Sequence, residues 1–248
     1  MLKADVALIG GTGIGSRLRE WGGRMFLVTT PYGPVRGRLV EWDGLTLATV
    51  ARHSVGHRFP PHRVNYRAIA YGCKAIGVKG CFASAAVGSL RQDWNTGTFA
   101  ICTDSVDISS RNITMFDEVV HHTDVTRMFP LAEMLSAGAT DLGLDVKNHA
   151  CYVCANGPRF ETVAEIKMMR LAGGDVVGMT ASTEAVAFAE VGVPYGCISV
   201  VTNLAAGLAP THLEHGDVAQ AMEEYGPTVL QVLLASSRRL VAQHAMHA

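Results

Sequence analysis

Continuous apolar runs alternate with amphipathic segments along most of this 248-residue sequence. Short apolar runs bounded by glycine or polar residues predict buried strands, whereas apolar residues three and four positions apart predict helices. The predicted strands are ADVALIGG, LTLATVAR, VKGCFASAAVG, GTFAICTDSV, HACYVCANG, DVVGMT and PYGCISVVTN. The predicted helices are VNYRAIAYGCKAIG, TVAEIKMMRLAGG, STEAVAFAEVG and a long C-terminal helix that starts near Asp217. Because the two patterns take turns, residues 1–248 are predicted to form one α/β domain, in which helices flank a central mixed β-sheet.

Two of the predicted helices carry clear boundary signals. Thr162 and Glu165 have the spacing of a capping box, in which each side chain bonds the other residue's backbone N–H. The glycines that follow at 173 and 174 are predicted to end this helix. The C-terminal helix contains Gly226–Pro227, and because proline has no backbone N–H we expect a kink or a break there.

Charge and hydropathy narrow the class of protein. The chain has 21 Lys plus Arg and 22 Asp plus Glu, a net charge of −1, whereas nucleic-acid binding depends on a clustered positive field. No apolar run reaches the roughly 20 residues of a membrane span, and the N-terminal residues lack a signal-peptide pattern. We therefore expect a cytoplasmic protein with neither a nucleic-acid nor a membrane partner, whose six cysteines are reduced.

Several predicted strands end in loops rich in small and polar residues, namely GGTGIGS, SAAVGSL, ANGPRFE, GMTAST and VTNLAAG. Glycine allows a ligand to approach the backbone closely, and free N–H groups near helix starts favour anions. The first loop is not a P-loop, since no lysine follows its glycines, and Ser16 breaks the dinucleotide-binding pattern. Five such loops predict one composite ligand site.

The stretch ARHSVGHRFPPH, residues 51–62, contains three histidines and two arginines and no acidic residue. The prolines disfavour the helix that would bring two of the histidines together on a metal, and no nearby carboxylate or cysteine completes a ligand shell. Cys151 and Cys154 form a single C-x-x-C within a strand pattern, so we expect no metal there either. Arg52 and His53 end a strand, and a guanidinium beside an imidazole suits a phosphate dianion.

A series of motifs in order then resembles the trimeric purine nucleoside phosphorylase and methylthioadenosine phosphorylase family: GGTGIG, ARHSVGHRFPPHRVNYRAIAY, AAVGSL, NGPRFETVAEI, GMTASTEAV and VTNLAAG. The resemblance implies a nucleoside phosphorylase-like fold and reversible cleavage of a purine nucleoside by inorganic phosphate, giving the free base and ribose 1-phosphate. It further implies that phosphate is a co-substrate, that no metal or organic cofactor is used, and that the chain is a homotrimer or a dimer of trimers that serves purine salvage.

The resemblance also assigns residues to the phosphate and the sugar. The phosphate-binding residues it implies are Thr12, Arg52, His53, the backbone at Ala86, and Thr180. Met179 would pack on the sugar and offer its backbone to a ribose hydroxyl, and Phe160 would stack on the purine. Relatives usually carry asparagine or threonine at position 85, where this chain has alanine. A side-chain contact near the phosphate or the base is therefore expected to be lost.

The base and the chemistry are assigned in the same way, with Asn203, His53 and Glu161 as the catalytic residues. Glu161 resembles the carboxylate that accepts the N1–H of 6-oxopurines and the amine of guanine. Asn203 resembles the leaving-group residue, since its amide can both donate to O6 and accept from a protonated N7. Adenine-selective members carry aspartates in this region, and none occurs between Asp175 and Asp217. We therefore expect inosine and guanosine as substrates.

Alternatives stay open at the 5′ end of the sugar. His215 resembles the histidine that contacts a 5′-hydroxyl, but His212 competes for this role, so an S-methyl-5′-thioinosine or methylthioadenosine phosphorylase is the alternative. His122 resembles the histidine that trimeric relatives lend to a neighbour's sugar. A hydrolytic nucleosidase and a non-catalytic nucleotide sensor or Rossmann-type oxidoreductase are the rival classes. A hydrolytic nucleosidase would be active without added phosphate, and a nucleotide sensor or oxidoreductase would need the dinucleotide fingerprint that is missing here.

Overall fold

Strands and helices alternate in the computed structural model, which describes residues 2–209 and 215–246. The strands are β1 (Val6–Gly10), β2 (Arg24–Thr30), β3 (Gly33–Trp42), β4 (Leu45–Ala51), β5 (Cys81–Ser89), β6 (Phe99–Asp107), β7 (Lys147–Cys154), β8 (Val176–Gly178) and β9 (Tyr195–Leu204). The helices are α1 (Ile14–Glu20), α2 (Tyr66–Ala75), α3 (Ala132–Asp141), α4 (Val163–Leu171), α5 (Ala181–Glu190) and α6 (His215–Met246). Two 3₁₀ turns, Val55–His57 and Pro61–Arg63, follow β4. Within these ranges no helix is both long and apolar enough to cross a membrane.

The strands form one mixed sheet, as the sequence predicts. Their order is β2-β3-β4-β1-β5-β8-β7-β6-β9, and β9 also pairs with β5. This second pairing closes β5, β8, β7, β6 and β9 into a ring, from which β1, β4, β3 and β2 extend as an open sheet. Two groups of helices pack on the strands, α2 with α5, and α1 and α3 with α6. The single-domain α/β fold with a central sheet flanked by helices is therefore confirmed.

The C-terminal ends of four parallel strands meet at one edge of the sheet. β1 is parallel to β4, with Gly10 opposite Ala51, and it is also parallel to β5. β5 is in turn parallel to β9, with Ser89 opposite Leu204. β1 and β4 therefore end beside the residues of β5 that begin the SAAVGSL stretch, and β5 and β9 end side by side. All five residues of β1 are buried, which explains why this strand is continuously apolar.

The capping box predicted for α4 is confirmed. The Thr162 side-chain oxygen accepts a bond from the Glu165 N–H at 3.2 Å, and Glu165 Oε2 accepts one from the Thr162 N–H at 2.7 Å. The helix ends at Leu171, shortly before Gly173, which has a φ of 86°. Local sequence signals thus determine both ends of this helix.

Of the kink or break expected at Gly226–Pro227, the break does not occur, since α6 continues through Pro227 as one helix. Proline cannot donate to the carbonyl four residues before it, which here belongs to Glu223. Arg17 of α1 donates to that carbonyl from Nη2 at 2.7 Å, so a side chain replaces the missing backbone donor. A Cβ at Gly226 would lie 3.0 Å from Arg17 Nε, so glycine makes room for this arginine.

Three features were not predicted from the sequence: helices α1 and α3, and the antiparallel β2–β3 pair. The outward positions of β2 carry exposed apolar residues, Met25 at 66% and Leu27 at 53% exposure, which obscure the alternation of a half-buried strand. Helix α1 has only seven residues and follows directly from the glycine loop after β1. Short elements of this kind have too few periodic positions to be recognised locally.

Candidate active site

A cavity of about 410 Å³ lies where the strand ends meet. Most of the predicted site residues line this one cavity: Thr12, Arg52, His53, Ala86, Phe160, Glu161, Met179, Thr180 and Asn203. They come from six separate segments of the chain, two of which lie within β5 and β9, so the tertiary fold does build a composite pocket. Ala85 and Gly88 also line the cavity, and position 85 contributes only a methyl group to its wall.

Arg52 is held at the cavity wall by backbone and side-chain bonds. Its N–H donates to the Gly10 carbonyl at 3.0 Å, which ties the end of β4 to the end of β1. The whole residue is only 3% exposed, and Nη1 donates to the Ser84 carbonyl of β5 at 2.9 Å. A Cβ at Gly11 would lie 2.6 Å from Nη1, so this position requires glycine for the guanidinium to fit.

The fork of the same guanidinium is directed at Glu184, which sequence reasoning missed. Arg52 Nε donates to Glu184 Oε1 at 2.9 Å and Nη2 donates to Oε2 at 2.6 Å. Tyr195 of β9 donates its hydroxyl to the same Oε2 at 2.7 Å. Burial disfavours the cation, but the charge and the hydrogen bonds of Glu184 outweigh it and raise the pKa of Arg52 well above its usual value. The predicted phosphate residue is therefore one half of a buried ion pair.

His53 and His57 stack on each other with ring centroids 4.2 Å apart. His53 Nδ1 lies 2.8 Å from the Phe59 carbonyl oxygen, and because a carbonyl only accepts, Nδ1 carries the proton of this bond. His57 has a φ of 55°, is exposed, and lines the cavity. His53 and His57 thus form a stacked pair of rings at the cavity wall.

Asn203 ends β9 with its amide held by its chain neighbours. Oδ1 accepts from the Thr202 hydroxyl at 2.9 Å and Nδ2 donates to the Leu204 carbonyl at 3.0 Å. Gly88 lies opposite on β5, where the register shifts by one residue, and a Cβ there would lie 3.2 Å from Nδ2. Each amide atom keeps one further hydrogen-bonding position, so Asn203 can still donate to and accept from a ligand.

Phe160 and Glu161 bring an aromatic face and a carboxylate to the cavity from the loop before α4. Phe160 is 39% exposed, which leaves a ring face open to stacking. Burial is the main cause that raises the pKa of Glu161, and the nearby Glu165 carboxylate adds to the effect. A partly desolvated carboxylate of this kind is a strong acceptor for N–H donors of a ligand.

Met179 and Thr180 lie between β8 and α5. The Met179 carbonyl accepts from Arg111 Nη2 at 2.7 Å, and a Cβ at Gly157 would lie 2.4 Å from Met179 Sδ. Thr180 precedes the first residue of α5, and its side chain makes no capping bond to that helix. The Thr180 hydroxyl is therefore available to a ligand at the start of α5, where the helix dipole favours an anion.

The remaining predicted site residues are not tested by this cavity. His122 is exposed and lies in the irregular segment between β6 and α3, away from the cavity of its own chain. His215 is the first residue of α6, but its side chain lies outside the described part of the structure, as does all of His212. Among the residues that are described, no group of three or more His, Cys, Asp or Glu could hold a metal ion.

Sequence reasoning missed Glu184 and Arg111, and only Glu184 had a weak signal in the sequence. Glu184 is an acid within STEAVAFAEVG, an otherwise small and apolar helix, and Arg52 at a buried strand end requires a counter-charge. Arg111 had no such signal, because it lies in a polar segment without periodicity. Its guanidinium is 5.7 Å from the ring centroid of Tyr66, a contact that only the folded chain creates.

Comparison with known proteins identifies the class that this fold and cavity define. The chain belongs to the phosphorylase superfamily, whose family model matches residues 5–238. It is accordingly an enzyme of that family, and the family and the phosphorylase activity predicted from the motifs are confirmed.

Individual relatives are more specific. The chain is 39% identical to the probable S-methyl-5′-thioinosine phosphorylase of Methanopyrus kandleri, over 92% of this chain and 90% of that protein. It is 36% identical to the 6-oxopurine nucleoside phosphorylase of Pyrococcus furiosus, over 93% and 91%. The structure of methylthioadenosine phosphorylase from Schistosoma mansoni in complex with adenine is similar, with a TM-score of 0.88 and 25% identity. The match covers 97% of this chain and 93% of the Schistosoma mansoni chain.

Proposed function

We propose that this enzyme cleaves 6-oxopurine nucleosides with inorganic phosphate, giving the free base and ribose 1-phosphate. The observation that carries the proposal is that one cavity joins Arg52 and Thr180, which suit an oxyanion, with Glu161 and Asn203, which suit a 6-oxopurine. Relatives named for 6-oxopurine nucleosides and for S-methyl-5′-thioinosine support it, since both substrates carry the same kind of base.

In the proposed reaction, a phosphate oxygen forms a bond to the anomeric carbon while the bond to purine N9 breaks. The electron pair of that bond passes to the purine, which becomes protonated at N7, and the proton given up by phosphate balances it. Arg52, His53, Thr12 and Thr180 hold the phosphate below the sugar, where its charge also stabilises the cationic sugar.

The base is held by three residues in this proposal. Glu161 accepts the N1–H, and Asn203 stabilises the leaving purine at O6 and N7. Phe160 stacks on the ring, while the backbone of Met179 meets a ribose hydroxyl. Because the Glu161 carboxylate only accepts, it favours a base with an N1–H over adenine, whose N1 carries no hydrogen.

The test is to measure base release from inosine, guanosine, adenosine, methylthioadenosine and S-methyl-5′-thioinosine, each with and without phosphate. We expect phosphate-dependent release of hypoxanthine or guanine, with little release of adenine. Release that ignores phosphate would identify a hydrolase, and adenosine or methylthioadenosine as the best substrate would refute the base assignment.

S-methyl-5′-thioinosine is the second candidate substrate, and the 39% identical relative of that name is the observation that favours it. It differs from inosine only at the 5′ position, so the same cavity residues would hold its base. The ratio of kcat/KM for inosine and S-methyl-5′-thioinosine decides between the two substrates.

We further propose that the enzyme acts in the cytoplasm in purine salvage as a homotrimer or a dimer of trimers, with His122 serving a neighbour's sugar. Val119 and Val120, close to His122 in the chain, are 63% and 91% exposed in the single chain, which supports a partner surface there. Light scattering would give the subunit number. We propose that phosphate suffices as co-substrate without a metal or organic cofactor, so chelation should leave the activity unchanged.

A further inference from the structure

Glu184 influences the phosphate site through Arg52, an inference that rests on the proposed function. The Arg52–Glu184 ion pair is almost completely buried, with both side chains 1% exposed. The two residues lie 132 positions apart, at the end of β4 and in the first turn of α5. We propose that Glu184 is a positioning residue, which orients the guanidinium of Arg52 so that its remaining donors bind phosphate.

Arg52 has few N–H donors left for a ligand. Of its five N–H bonds, two go to Glu184 and one goes to the Ser84 carbonyl. The other two, one on each terminal nitrogen, have no protein acceptor among the described residues. Since Arg52 lines the cavity beside Gly11 and Thr12, these two N–H groups are the ones that it offers to an anion.

Glu184 affects phosphate binding in two opposite ways, and the sign of the net effect tests the proposal. Its negative charge cancels the charge of Arg52, which by itself weakens attraction for a dianion. Its two hydrogen bonds fix the plane of the guanidinium, which by itself strengthens binding, because a preorganised donor loses no freedom on binding. If positioning dominates, removal of the carboxylate weakens phosphate binding; if neutralisation dominates, removal strengthens it.

Tyr195 gives a milder way to disturb the same array. Its hydroxyl donates to Glu184 Oε2 at 2.7 Å. The change Tyr195→Phe therefore loosens Glu184 while both charges of the pair stay in place. This matters because Glu184→Gln leaves a buried guanidinium without a counter-charge, which can prevent folding.

The experiment compares the KM for phosphate and the KM for inosine in the wild type, Glu184→Gln and Tyr195→Phe. The control is Asp5→Asn, which breaks the Asp5–Lys79 ion pair of 2.6 Å at the opposite end of β1. We expect Glu184→Gln to raise the phosphate KM by about 10- to 100-fold, the range expected for a misplaced binding group. For Tyr195→Phe we expect about a threefold rise, in line with one hydrogen bond. The inosine KM should stay nearly constant in all variants, and the control should change neither value.

An unchanged or lower phosphate KM in Glu184→Gln would overturn the proposal. If that variant does not fold, Tyr195→Phe decides, and an unchanged phosphate KM there overturns it equally. A parallel rise of both KM values would indicate a general structural defect in place of positioning. Failure of the proposed function is a separate result. In that case the wild type would release base without any need for phosphate.

Discussion

Arg111 donates a hydrogen bond from Nη2 to the backbone carbonyl of Met179 at 2.7 Å. The irregular segment between β6 and α3 thereby fixes the backbone of the loop in which Met179 and Thr180 line the cavity. The same nitrogen lies 3.3 Å from the Ala155 carbonyl, which belongs to the loop that carries Phe160 and Glu161. One side chain thus joins two walls of the cavity.

We expect Arg111→Met to lower kcat/KM for inosine by about tenfold, since a shift of binding groups well below 1 Å already reduces the rate. Methionine keeps much of the apolar stem but cannot donate to either carbonyl. Steady-state kinetics would measure the effect. Arg127→Met, an exposed arginine of the same segment, is the matched control and should have no effect. Equal activity of Arg111→Met and the wild type would contradict this positioning role.

The acid side of the pH profile should depend on Glu161. Burial raises the pKa of this carboxyl, so it becomes protonated at a higher pH than an ordinary glutamate. The ionised form is the stronger acceptor for the N1–H of the base. The KM for inosine, measured at saturating phosphate, should therefore rise as the pH falls, starting above the usual glutamate range.

Glu161→Gln provides the test of that assignment, because glutamine does not titrate. We expect a higher KM for inosine that no longer varies on the acid side. Glu133→Gln, at an exposed position of α3 outside the cavity, is the control and should keep the acid dependence of the wild type. If the acid dependence persists unchanged in Glu161→Gln, another group is responsible for it.

Asn203→Asp should lower kcat/KM for inosine by about 100-fold, the loss typical of removing one donor to a developing negative charge. A carboxylate cannot donate to O6, but it can accept from the 6-amino group of adenine. The loss for adenosine should therefore be smaller, and the ratio of the two kcat/KM values measures the change. Asn95→Asp, at an exposed position outside the cavity, controls for the added charge. A parallel loss for both nucleosides would argue against a role at the base.

Arg17 should stabilise α6 through the Glu223 carbonyl. We expect Arg17→Ala to lower the free energy of unfolding by about 1 kcal/mol, the usual contribution of one hydrogen bond. Urea denaturation would measure it, with Arg19→Ala of the same helix as control. In a Pro227→Ala background the backbone N–H returns, so the cost of Arg17→Ala should shrink. An equal cost in both backgrounds would show that the bond to the carbonyl is not the cause.

The sequence by itself determined most of the elements and the content of the site. Thr162, Glu165 and the glycines that follow define α4 through contacts within a few residues, so local signals suffice. Apolar runs such as β1 identify buried strands for the same reason. The ordered motifs then identified the family, and the loops that they mark do line one cavity.

The tertiary structure alone decided which partners these residues have. Glu184 pairs with Arg52 across 132 residues, Arg111 reaches Met179 across 68, and Arg17 replaces a missing donor in α6 across 206. None of these contacts has a local pattern, because each depends on where two distant elements pack. The residue type limits which hydrogen bonds a side chain can make, but only the folded chain determines which acceptor lies within 3 Å of that side chain.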